Sequence, residues 1–171
     1  MLARLTILLL LSAVPAQAAD WWSYDNARFG YAIELPSEFH LSARSDNSDG
    51  LTLTPADQSA RLLVFGANIL NGDFATEANI RVARARDEGW QISYSKSTSR
   101  GISFSGTRQG HIVYVRGVAL CNGAAAFFQM DYPKAAMQRY DAVVMRLVRS
   151  LRPTTKCAPT TQIVKSFPVT G

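Results

Sequence analysis

The segment HIVYVRGVALCNGAAAFFQMD, His111 to Asp131, decides the architecture. Along its first half, apolar side chains fall on both sides of a period-two alternation. Ile112, Tyr114 and Val118 point one way, and Val113, Val115 and Ala119 the other. A strand with two apolar faces is stable only when something packs on each, so it belongs in the middle of a covered sheet. Asn122-Gly123 then supplies the residue pair that tolerates positive φ at both central positions of a two-residue hairpin turn. The chain returns as Ala124 to Asp131, with Phe127, Phe128 and Met130 again spread over both faces.

Downstream, Pro133 suits the first turn of a helix, because its missing N–H has no partner there in any case. Tyr140, Val143, Val144, Leu147, Val148 and Leu151 form an apolar stripe at three- and four-residue intervals, with Arg139, Arg146, Arg149 and Arg152 on the other side. Pro153 ends the helix. Upstream, Ile102 and Phe104 alternate with Ser103, Ser105 and Thr107, and Trp90 to Lys96 reads as one more strand. Before these, Asp73 is an expected N-cap for a helix in which Phe74, Ala75, Ala78, Val82 and Ala85 face the core, with Arg81, Arg84 and Glu88 outward. Gly89 stops it.

Three strands come first. Tyr31-Ala32-Ile33-Glu34-Leu35 closes at Pro36; Leu51 to Thr54 follows the turn signal Asp46-Asn47-Ser48-Asp49-Gly50; Arg61 to Phe65 is apolar at almost every position. The order βββ-α-ββββ-α, with hairpins between most neighbours, implies an α+β fold: an α-β-α sandwich around a mostly antiparallel sheet.

The stretch Asn26-Ala27-Arg28-Phe29-Gly30-Tyr31-Ala32-Ile33-Glu34-Leu35-Pro36, an aromatic-Gly-aromatic strand closed by proline, resembles the opening of the PsbP-like, Mog-type and DcrB-like group. The Asp-Asn-Ser-Asp-Gly turn, the strand at Leu62 to Phe65 and the closing Tyr-Pro with its terminal helix fit the same plan over residues 24–152. The resemblance implies the sandwich fold and a binding or assembly role. It transfers no catalytic residues.

At the N-terminus, Arg4 precedes the apolar run Leu5 to Val14 and the small-x-small pattern Ala16-Gln17-Ala18, which reads as a signal peptide cut after Ala18 or Ala19. Ten apolar residues are too few to span a bilayer of about 30 Å. The expected division is therefore a signal over 1–19, one globular domain over 20–152, and a tail over 153–171 tied at Cys157. The expected location is periplasmic or secreted. The formal net charge of +5 is mild, and no run of five Lys or Arg occurs, so nucleic acid is not an expected partner.

The two cysteines, Cys121 and Cys157, suit an oxidising compartment. Strand 111–121 ends at Cys121, the hairpin reverses the chain, and the last helix reverses it again. A return strand of about 27 Å and a helix of about 30 Å bring Cys157 back to the end where Cys121 sits. A bridge between them is expected as a staple for the last helix.

Chemical signatures are sparse. His40 and His111 lie far apart, and a metal site needs more ligands than either has nearby. Placing Gly50 at the sixth position of a calcium loop puts Ala56 at the twelfth, where a bidentate acid is required. No Gly-x-Ser-x-Gly and no lysine-bearing phosphate loop occurs. No cofactor is expected. The candidate binding residues are the arginines of the two helices (Arg81, Arg84, Arg139, Arg146, Arg149) for a partner face, and Trp21, Trp22 and Tyr24 for ligand stacking. The function expected is non-catalytic: an exported binding or assembly domain working through an unidentified protein partner or a ligand. The alternatives are a small hydrolase-like enzyme with a scattered site and an envelope factor touching anionic surfaces.

Overall fold

The computed structural model describes residues 20–70, 72–121 and 123–154. In chain order they form β1 (Trp21–Asn26), β2 (Tyr31–Pro36), β3 (Phe39–Arg44), β4 (Gly50–Pro55), β5 (Arg61–Asn68), α1 (Phe74–Asp87), β6 (Gln91–Ser97), β7 (Gly101–Arg108), β8 (His111–Ala119), β9 (Ala124–Pro133), a 3-10 turn (Lys134–Ala136), α2 (Met137–Ser150) and β10 (Arg152–Pro153).

The His111 segment behaves as its pattern requires. β8 and β9 pair antiparallel from His111↔Pro133 to Ala119↔Ala125, and the Cys121 carbonyl accepts from the Ala124 N–H across the turn, where Gly123 has φ 70°. They sit inside a seven-stranded sheet ordered β3-β4-β5-β9-β8-β7-β6, antiparallel throughout. Val113, Val115, Ala125 and Phe127 face α1, packing with Phe74, Ala78, Val82 and Ala85. Val118, Ala126, Phe128 and Met130 face the other way, against Tyr140, Val143, Val144 and Leu147 of α2. The two helices therefore cover opposite faces of one sheet.

The element order differs from the expected one at three places. Five strands precede α1 rather than three, because β1 and β3 carry no clean alternation. In β3 only Phe39 is buried, and His40 to Arg44 lie exposed on the sheet edge. β10 is a two-residue strand after α2. The third difference is that Tyr31–Pro36 does not join the main sheet. It is the middle strand of a separate sheet, β1-β2-β10, which shares a layer with α2. Its Tyr31, Ile33 and Leu35 point into the α2-side core, and burial on both sides blurs the alternation.

The turn before β4 ties this small sheet to the large one. Ser45 Oγ accepts from the N–H groups of Asp49 and Gly50 at 2.8 and 3.2 Å. Asn26, 4% exposed, donates to the Ser48 and Asp49 carbonyls, and Arg28 meets Asp49 at 3.1 Å. Asp49, which also accepts from the Asn47 amide, is spent on structure. Gly66 lies beneath Phe29 so closely that a Cβ there stands 2.3 Å from the ring.

Candidate binding face

At the end of α2 the chain runs beside β2, and the two exchange contacts that neither helix nor sheet supplies alone. β2 is paired on one side by β1, and on the other by β10 only at Tyr31 and Ala32. The Glu34 N–H, beyond the reach of β10, donates to Ser150 Oγ at 3.1 Å. That bond fixes Glu34 against the last turn of α2. Its carboxylate accepts from Arg146 Nε at 2.7 Å, and the Arg146 guanidinium carbon stands 4.5 Å from the centroid of the Trp21 ring on β1. Glu34, Arg146, Arg149, Ser150 and Arg152 line one shallow hollow of about 360 Å³. Three guanidinium groups face one carboxylate there. The last turn of a helix is also where cations are favoured by the helix dipole.

The five candidate arginines do not share this surface. Arg139, earlier on α2, is engaged by Asp57 at 3.2 Å and Glu38 at 3.5 Å; its hydrogen bond to Asp57 holds its pKa above the usual arginine value. Arg81 and Arg84 belong to α1, on the opposite face of the sheet. Arg81 is not turned outward as its helical position suggested. Its guanidinium lies over Phe127 at 4.0 Å and Phe65 at 5.2 Å, and pairs with Glu77 at 2.7 Å. Phe74 of α1 stacks on Phe127 at 6.4 Å, and the long arginine stem folds over the same ring and over the part-buried Phe65 beside it. Burial pulls its pKa below the usual value, opposed by Glu77, and its Nε is buried without a hydrogen bond.

The three candidate aromatics divide likewise. Trp21 carries Arg146 and packs on the α2-side core. Tyr24 is part-buried, edge-on to Tyr31 at 6.1 Å, and its hydroxyl accepts from Asn26. Trp22 is 40% exposed and meets Tyr24 edge-on. His111 bonds Asp131 through Nδ1 at 2.8 Å on the α1 side of the sheet, while His40 stands on the β3 edge. Cys157 lies outside the described residues, and so do the expected signal segment and most of the tail.

Sequence reasoning did not single out Glu34 or Asp131. Glu34 had a signal: it is the lone charge in an otherwise apolar strand closed by proline. Asp131 had none, since its pairing with His111 depends on the β8–β9 register.

No protein-family model and no curated protein matches the chain. Solved structures do. Cyanobacterial PsbP (CyanoP) from Synechocystis sp. PCC 6803 superposes with a TM-score of 0.61 at 10% identity, covering 84% of this chain and 98% of that one. This chain has the PsbP/Mog1p-like fold. The Saccharomyces cerevisiae Ran-binding protein Mog1p agrees, with a TM-score of 0.58 at 8% identity over 80% of this chain and 97% of that one. Near-complete coverage of both neighbours bears out the sandwich and the resemblance read from residues 24–152. In this PsbP/Mog1p-like framework the hollow at Arg146 lies where the terminal helix meets the N-terminal hairpin.

Proposed function

We propose that the chain is an exported, periplasmic, non-catalytic domain that binds a protein partner through the face made by the end of α2 and the β1–β2 hairpin. The observation that carries it is Arg146, held between the Glu34 carboxylate and the Trp21 ring, with Arg149 beside it and free of any ion pair among the described residues. A guanidinium oriented on an aromatic plane, beside Arg149 without an ion pair and Arg152 held only by the Ser150 carbonyl at 3.1 Å, is suited to meet something outside the chain. The neighbour Mog1p is a Ran-binding protein, which agrees with a protein-binding use of the fold. Export rests on the apolar run Leu5 to Val14 and on Ala16-Gln17-Ala18.

The same proposal includes the Cys121–Cys157 bridge. The Thr154 N–H donates to the Gly30 carbonyl at 2.9 Å, and Gly30 lines one cavity together with Cys121. Three further residues span about 10 Å when extended, which brings position 157 within range. The bridge anchors the chain just beyond the binding face. Site-directed crosslinking in cells tests the function: a photoreactive residue in place of the exposed Ser23, which pairs with Glu34 across β1 and β2, captures a protein partner, and one in place of the exposed Tyr94 on β6 does not. No adduct from the Ser23 position overturns it.

A further inference from the structure

Building on that reading, we infer that the partner presents an acidic peptide segment, whose carboxylates dock on the Nη groups of Arg146 and on Arg149 and Arg152. Glu34 already shows the contact in part. It takes Arg146 through Nε alone, and among the described residues both Nη groups remain without a hydrogen bond. Arginine offers five N–H donors in a planar fork, and carboxylates take them in pairs. The Nε contact to Glu34 and the Trp21 plane fix the orientation of that fork, so an incoming carboxylate meets a donor pair that needs little ordering.

The chemistry around the hollow chooses among anions. Glu34 stays in it, and a residual carboxylate opposes a dianionic phosphate more than a single carboxylate. Asp20 and Asp25 stand exposed at either end of β1 on the same hairpin, and Arg139 on the same helix is already neutralised. The positive surface is thus small and bordered by negative charge, which suits a short acidic segment and not a flat anionic bilayer. Ser23, exposed and paired with Glu34 across β1 and β2, leaves room on that face for the backbone of such a segment.

The test uses the signal-processed full chain and a fluorescein-labelled short peptide of alternating aspartate and alanine, with asparagine replacing aspartate in the control. Anisotropy should report at least about tenfold preference for the aspartate peptide, and a loss of at least about fivefold between about 0.05 and about 0.5 M salt. Arg149→Glu should weaken binding about tenfold while Arg139→Glu changes it less than twofold, both variants melting like the parent. Equal binding of the two peptides overturns the inference. So does equal loss in the two variants, or sedimentation of the protein with phosphatidylglycerol vesicles in the absence of peptide binding. A partner captured through position 23 with no preference for the aspartate peptide rejects this inference and leaves the protein-binding reading standing; no captured partner rejects that reading itself.

Discussion

Glu34 and Arg146, 112 positions apart in the chain, meet at 2.7 Å across the seam between β2 and α2. Their contact depends on β2 having left the main sheet to lie alongside the helix, and on Ser150 taking the Glu34 N–H. The ion pair is about 40% exposed on each side, so its worth as a stabilising contact is small. Its consequence is orientation.

The two tryptophans should separate in stability. Trp21 packs on the core and under Arg146, whereas Trp22 is 40% exposed. Trp21→Ala should cost about 1–2 kcal/mol in urea denaturation and Trp22→Ala less than about 0.5 kcal/mol. Equal costs contradict the division of roles.

Arg81 should show strong coupling to Glu77. Removing the arginine leaves a carboxylate only 14% exposed without its partner and uncovers Phe127. Arg81→Ala should cost about 2–3 kcal/mol, and a double-mutant cycle with Glu77→Ala should return a coupling of about 1 kcal/mol, above that of an exposed helix pair. A coupling near zero would mean the pair is solvated.

Burial raises the Tyr31 and Tyr132 phenols above their usual value, with neighbouring Tyr24 adding to the shift at Tyr31 and Asp141 at Tyr132. The folded state therefore holds these protons more tightly than the unfolded chain. Their contribution to stability is complete below pH about 10 and is lost as pH rises beyond it. Absorbance titration near 295 nm should show Tyr31 ionising only together with unfolding, and a smooth titration of every tyrosine without unfolding contradicts this.

The proposed Cys121–Cys157 bridge, once formed, contributes about 3–4 kcal/mol in the chain-entropy picture. Free-thiol titration of the unreduced, denatured protein should find none, and a reductant should lower the melting temperature. Two reactive thiols would remove the bridge from the account.

The sheet's centre and both helices were legible in sequence because β8, β9, α1 and α2 express burial as periodicity. β3 was not, since an edge strand buried at Phe39 alone has no alternation to read. The departure of β2 was hidden for the opposite reason: Tyr31, Ala32 and Ile33 are all buried, so the strand gave no sign of which sheet it joins. At the site, Arg146 and Arg149 were legible as the polar side of α2. The fate of Arg81 was not, because its outward helical position says nothing of the Phe65 and Phe127 rings within reach of its guanidinium. Glu34 became a site residue only through the layer shared by β2 and α2.

In-cell crosslinking from position 149 probes the binding face at the end of α2. A photoreactive residue replacing Arg152 serves as a second probe in the same hollow, and one replacing Arg84 on α1 as the control. Positions 149 and 152 should share one protein adduct, with the crosslinked peptide acidic by mass spectrometry, and position 84 should give none. Identical adducts from both helices, or none from the α2 end, would contradict the binding face.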